Sequence, residues 1–372
     1  MASESGGFKY WAYRSAAVLV PWVPLVVARP AARLVGLGLW AAMPKVRRRA
    51  DANLRHVPAL AADSTRRGRA VRGVFGNLAL NYVDLFRAHH LTVMGAVEGW
   101  ELEGQEIFDA AVAAGRGVVL LTAHQGNFDQ AAARLGAMGA PIILPVERLK
   151  PARLFQLVCD LRTHHGVRPV AADSPEALRA LLTGLRRGEV VLLAVDRDVL
   201  GTGVVVPLFG APARLPTGPI LLARRSGAPV IGAFSWRDER GRPRGRFVPV
   251  DLDEVGATPG VADPVPAVAA PTVAVAPGAG ASLAGEAERG EAERGAGAAV
   301  TADRNGTSRP RGRDAMARAL VPVARLLEDR IAAHPEQWVA ALTTIWLEPD
   351  HEPDREPERG ADEAPTEGRD AP

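Results

Sequence analysis

A single cysteine, Cys159, among 372 residues excludes an internal disulfide and a cysteine-rich metal centre. It lies in an apolar, helix-like stretch and reads as a small buried hydrophobe. No apolar run reaches the ~20 residues that one straight membrane-crossing helix needs. Residues 15–28 and 34–43 are shorter apolar runs, and the first holds Pro21 and Pro24. No Gly-x-Ser-x-Gly occurs, so nothing marks a serine nucleophile on a strand–helix elbow. The pairs His89-His90 and His164-His165 lack metal-ligand spacing and read as surface or helix-end residues. No metal site is expected, and no nucleic-acid-binding module is recognisable.

What is present is unevenly distributed. The formal charge of +3 conceals a basic front end: Lys9, Arg14, Arg29, Arg33, Lys45, Arg47, Arg48, Arg49 and Arg55 stand against Glu4 and Asp51. The chain from residue 348 onward is dominated by Asp and Glu. A basic segment implies an anionic partner, nucleic acid or membrane. Trp11, Trp22 and Trp40 beside Arg47-Arg48-Arg49 favour a membrane. Indole rings prefer the interface, and each basic residue near anionic headgroups contributes about 1 kcal/mol. A secretory signal fits poorly, because no small-residue cleavage site precedes Arg29-Pro30. The expectation is a monotopic or peripheral anchor at the cytoplasmic face of the cell membrane. An ordinary amphipathic helical pair packed on the domain is the alternative.

Residues 49–89 read as helices, with Val74, Leu78, Tyr82, Leu85 and Phe86 at helical spacing. Short apolar runs at 117–122, 141–145, 167–171, 189–194, 229–234 and 247–250 then read as strands. Helical stretches at 129–135, 152–165, 175–187 and 218–225 separate them. Such alternation predicts an α/β fold: a mostly parallel central sheet flanked by helices on both faces. Residues 256–313 interrupt it with Ala, Pro, Gly and Val, then the tandem Gly285–Arg289 and Gly290–Arg294 repeats. Large apolar residues are too few there to offset ordering entropy, so the stretch reads as a disordered insertion. Leu320, Ala324, Leu327 and Ile331 mark a returning helix. The organisation expected is a membrane-associated segment at 1–48, a catalytic domain of 49–255 plus 314–347, the insertion at 256–313, and a disordered acidic tail at 348–372.

His124 and Asp129 stand where the apolar run at 117–121 gives way to a helix. That transition places them at the carboxyl edge of the sheet, where open α/β sheets hold their ligands. A histidine there, with a carboxylate one turn on, suits a held and polarised general base. Spacing alone is weak. Eight His among 42 Asp and Glu give about one such match by chance, and His351 with Glu356 repeats it in the charged tail. A satisfied histidine at a strand end is the other reading. Main-chain N–H groups of Gly126 and Asn127, at the helix start, are candidate oxyanion donors.

Several segments in order strengthen the case: His124-Gln125-Gly126-Asn127-Phe128-Asp129, Glu147-Arg148, Arg162 with Gly166, and Asp196-Arg197-Asp198. Gly201-Thr202-Gly203, Leu208-Phe209-Gly210, Leu215-Pro216-Thr217-Gly218-Pro219 and Pro335-Glu336-Gln337-Trp338 follow. Together with the arginines leading into Asn53-Leu54, they resemble the bacterial lipid A biosynthesis (late) acyltransferases and phosphatidylinositol mannoside acyltransferases. These belong to the lysophospholipid acyltransferase superfamily. The resemblance runs from about residue 8 to 346, leaving out the insertion.

The resemblance implies an O-acyltransferase moving a fatty acyl chain to a hydroxyl of a glycolipid or lysophospholipid. The donor would be an acyl-CoA or acyl carrier protein thioester, with no other cofactor. It assigns His124 as general base and Asp129 as its partner. It places a matching arginine, Arg162, near that pair and the Thr217-Gly218 loop beside the acyl site. Glu147 and Arg197 join the candidate substrate-binding residues. Asp196 is given a structural or acceptor-binding role, because no His or third carboxylate accompanies it as a metal site would require. Thr217 is a candidate helix N-cap. Two rival readings are a lipid hydrolase using the same His/Asp pair on water and a non-catalytic membrane-binding scaffold.

Overall fold

A computed structural model describes residues 4–88, 90–163, 165–252 and 309–346. The acidic tail and nearly all of the expected insertion lie outside these. Helices come first: α1 (Glu4–Leu19), α2 (Leu25–Ala42), α3 (Pro44–Leu54), α4 (Pro58–Ala61), α5 (Ser64–Ala88) and α6 (Val93–Val97). Strands and helices then alternate: β1 (Glu101–Glu103), α7 (Gln105–Ala113), β2 (Val118–Thr122), α8 (Phe128–Ala137), β3 (Ile142–Val146), α9 (Ala152–Arg162) and β4 (Val167–Ala171). There follow α10 (Ala177–Arg186), β5 (Val190–Ala194), β6 (Val204–Leu208), β7 (Ala211–Leu215), α11 (Gly218–Ser226), β8 (Val230–Arg237), β9 (Pro243–Pro249) and α12 (Arg309–Ala333).

Seven strands form one sheet in the order β1-β9-β8-β2-β5-β3-β4. All its pairings are parallel except β8 with β9. The expected α/β architecture is therefore present. Strands buried on both faces read as unbroken apolar runs, and β2 shows why. Its Val119 and Leu121 point into one core with α5's Val74 and Phe75 and α12's Leu320 and Leu327. Its Val118 and Leu120 point into the other, with Phe108, Ala132 and Leu135. Each such side chain contributes roughly 1.5–3 kcal/mol by burial. The antiparallel hairpin β6–β7 stands apart from this sheet, and sequence reading missed it. Its strands hold Pro207 and Pro212 and sit between turn glycines, which masked the alternation.

The front end is segmented differently from the sequence reading. The break falls at Pro21–Pro24, inside the first apolar run, and α2 fuses that run's end with the second. Pro30 lies within α2 and removes one helical hydrogen bond without ending the helix. Among the described residues α2 is the one helix long and apolar enough to cross a membrane. Its Ala28, Ala32 and Gly36, four apart, pack towards α5, where Ala79, Leu80 and Val83 receive the two alanines. A Cβ on Gly36 would lie 2.7 Å from the Gly76 Cα, so the two backbones touch. Its other face leaves Val26, Val27, Leu34 and Val35 exposed. The expected boundary at residue 48 lies inside α3, and α12 begins at Arg309 within the stretch read as insertion. Pro310 suits a first helical turn.

Candidate functional site

Parallel pairing of β2 with β5 sets Thr122 opposite Ala194. Two residues further on, His124 and Asp196 leave the sheet side by side at its carboxyl edge. His124 Nδ1 lies 2.8 Å from Asp196 Oδ1. Asp196 Oδ2 accepts the His124 main-chain N–H at 2.9 Å and the Trp338 indole N–H at 2.8 Å. The Asp196 side chain is wholly buried, while His124 keeps 27% of its side-chain surface open. Burial opposes ionisation of Asp196. The His124 charge and ring hydrogen bond, the Trp338 donor and the His124 main-chain donor outweigh it and hold the carboxyl below its ordinary range. An ionised carboxylate only accepts, so in neutral His124 the ring hydrogen sits on Nδ1 and Nε2 keeps its lone pair.

The segment after α12 locks this loop in place. Val339 N donates to His124 O at 2.8 Å, and Gly126 N donates to Gln337 O at 3.1 Å. Gln125 Nε2 donates to the carbonyls of Arg330 and His334 at 2.9 and 3.0 Å. Gly126 itself has φ +61°, and a Cβ there would collide with the Ser235 carbonyl oxygen. Only glycine fits. Phe128 stands edge-on to the His124 ring, with centroids 5.4 Å apart.

Three expected site residues sit differently in the structure. Asp129, expected to hold the imidazole, is bound by Arg162, whose Nε and second guanidinium N–H donate to it at 2.7 and 3.3 Å. The physical reason is direction: Asp129 opens α8 and faces Arg162 at the end of α9, whereas strand register delivers Asp196 to His124. Arg162, which the resemblance placed near that pair, thus has its charge balanced by Asp129 within the protein. Asp129 and its hydrogen bonds raise the Arg162 pKa against the opposing effect of burial. Gly126, expected as an oxyanion donor, gives its N–H to Gln337, which leaves the N–H of Asn127 at the α8 N-cap.

The remaining candidates divide. Glu147 and Arg197, past the carboxyl ends of β3 and β5, pair at 3.3 Å. Asp198 Oδ2 accepts Gly203 N–H at 2.7 Å and closes the turn leading to β6. Thr217 occupies the α11 N-cap position, but its side chain makes no capping bond. Among the described residues, neither Thr217 nor Gly218 hydrogen-bonds to His124 or Asp196. Trp338 was seen only as part of a matching segment, and nothing in its sequence neighbourhood signals a bond to a carboxylate 142 residues away. Beside Phe128 runs a narrow, mostly apolar cavity lined by Thr122, Ala132, Leu135, Leu192 and Phe247.

Residues 5–253 match the model of the family described as bacterial lipid A biosynthesis acyltransferase. The chain belongs to this family. It is 36% identical over 186 residues to a phosphatidylinositol mannoside acyltransferase of Mycobacterium tuberculosis (strain CDC 1551 / Oshkosh), covering 50% of this chain and 56% of the relative. It is 33% identical over 129 residues to the protein of the same description from Mycolicibacterium smegmatis, covering 34% of this chain and 42% of that one. The match thus spans about half the length of these relatives.

Proposed function

We propose that this protein is a membrane-associated O-acyltransferase that moves a fatty acyl chain from a thioester to a hydroxyl of a glycolipid or lysophospholipid. The thioester is acyl-CoA or acyl carrier protein. The observation that carries the reading is the His124 imidazole bonded through Nδ1 to a buried, ionised Asp196, in a chain of this family. His124 Nε2 takes the proton of the acceptor hydroxyl as its oxygen attacks the thioester carbonyl. The imidazolium is stabilised by Asp196. The Asn127 N–H supports the developing oxyanion at the α8 start. The tetrahedral species then collapses, the C–S bond breaks, and the thiolate leaves with the proton from Nε2. A positioned base of this kind contributes on the order of 10²–10⁴ in rate. No acyl-enzyme is required.

Membrane association is supported by the exposed Trp11, Trp22, Val26 and Leu34 on α1, the turn after it and α2. The test is thiol release from acyl-CoA and from acyl carrier protein, with and without a hydroxyl lipid acceptor. Acceptor-dependent release lost in His124→Ala is expected. Release that proceeds equally without acceptor would mean hydrolysis, and a fully active His124→Ala protein would remove the base.

A further inference from the structure

Behind α2 lies a second cavity of about 370 Å³, within the size range of small-ligand sites. Its walls come from α2, α5, the β8–β9 turn and Gln337. Its charges do not balance. Three arginines line it, Arg33, Arg72 and Arg237, against one carboxylate, Asp238. Asp238 is already engaged: Oδ1 accepts the main-chain N–H groups of Arg240 and Arg242, and Oδ2 accepts Arg244 at 3.0 Å. Arg237 is engaged too, donating to Asp84, to Asn81 at 2.8 Å and to Asn77 at 3.2 Å. Arg33 and Arg72 remain. Among the described residues neither has a carboxylate partner, and Arg72 rests only on the Trp40 ring at 4.8 Å. Arg29 stands one turn before Arg33 on α2, against Gly241 of the same turn.

We propose that this cavity is a binding site for a phosphate-bearing ligand, held by Arg33 and Arg72. Two guanidinium groups without carboxylate partners at a concave site match the charge and fork geometry of a phosphate. Position favours a lipid headgroup as its source, because α2 carries the cavity on one side and exposed Val26, Val27, Leu34 and Val35 on another. A soluble phosphate compound shares the chemistry. The far wall is rigid: Gln337 accepts Arg237 N–H at 2.9 Å and donates to Arg237 O at 2.8 Å. Gln337 O in turn holds Gly126 N–H, so the cavity shares one residue with the His124 loop. The site does not depend on the acyl-transfer reading, because binding is measured without a thioester.

The experiment is calorimetric titration of the full chain in neutral detergent. The probes are dihexanoyl phosphatidylinositol, dihexanoylglycerol as the uncharged control, and glycerol 3-phosphate. Arg33→Gln/Arg72→Gln is expected to weaken phosphatidylinositol binding about tenfold or more, as loss of charge-assisted pairs requires. Both arginines are exposed, so the fold should survive. Arg66→Gln/Arg69→Gln removes equal charge from α5 outside the cavity and should leave affinity unchanged. If glycerol 3-phosphate shows the same arginine dependence, the phosphate group alone is the ligand. If only the phospholipid does, the ligand is a headgroup. Equal affinity in wild type and the Arg33/Arg72 variant would overturn the proposal. So would equal losses in both double variants, or dihexanoylglycerol binding as tightly as the phospholipid.

Discussion

His124 and Asp196 each lie two residues beyond a pair, Thr122 and Ala194, that face one another across adjacent parallel strands. Register, not proximity in sequence, makes them partners. Asp196→Asn should therefore keep the shape and disable the base. An amide can donate to Nδ1 and so favour the tautomer with hydrogen on Nε2. By analogy with a triad acid the loss in kcat is on the order of 10⁴. Asp129→Asn should act differently, since it unbalances Arg162. Its expected cost is stability of about 1–3 kcal/mol, with a much smaller loss in kcat. Comparing kcat and Tm of the two variants decides. An Asp129 variant dead in kcat with unchanged Tm, beside an active Asp196 variant, would reverse the assignment.

The fold was legible where apolar runs were long and bounded by turns. The β2, β3, β4 and β5 strands fall within one residue of their expected limits; for the central β2 and β5, cover on both faces demands continuous apolar sequence, while the edge strand β4 is bounded by turn residues. Glu101–Glu103 was not legible: three residues, two of them charged, form an edge strand that only pairing with β9 defines. Of the site, His124 was legible from its strand-end position. Its partner was not. The 72 residues separating His124 from Asp196 are bridged by strand order, which local patterns do not encode. Asp129 at helical distance was the nearer carboxylate in sequence, and in the structure it pairs with Arg162.

Trp338 is fully buried, and its indole N–H is one of three donors on Asp196. Trp338→Phe should retain packing but leave a buried carboxylate oxygen with one donor fewer. A stability loss of about 1–3 kcal/mol is expected from that unmet acceptor. The Asp196 carboxyl should also rise towards its ordinary range, weakening its hold on the imidazolium and lowering kcat more than it raises KM. Urea unfolding and steady-state kinetics on one preparation test both. An unchanged kcat would show that the indole only fills space.

Removing residues 1–45 outright would strip α2 from Ala79, Leu80 and Val83, so release from membranes could simply follow unfolding. Val26→Asp with Leu34→Asp is the sharper change. Val26 is 81% exposed and Leu34 69%, so neither substitution buries a charge in the fold. A protein bound through this face should lose flotation with anionic vesicles while its Tm stays within a few degrees. Charged residues within a bilayer interior cost about 2.5–3.5 kcal/mol each on insertion scales. Undiminished flotation would mean that another surface carries the membrane contact.

His334 offers a pH-dependent prediction with a definite sign. Its ring stacks on Trp236 at 5.5 Å, and its carbonyl holds Gln125 of the His124 loop at 3.0 Å. Burial lowers its pKa from the ordinary 6.5; Glu336 opposes this and Arg330 adds to it. The folded state then binds fewer protons than the unfolded chain as pH falls through this range. Stability is thus fully present above about 6.5 and declines below it, as linkage requires. Asp196 contributes a separate loss only below its ordinary 3.8, so the two regions do not overlap. His334→Gln should flatten the dependence of the urea midpoint between roughly pH 7 and pH 5, because glutamine has no proton to gain there. A variant whose midpoint falls as steeply as the wild type would place the acid sensitivity on another histidine.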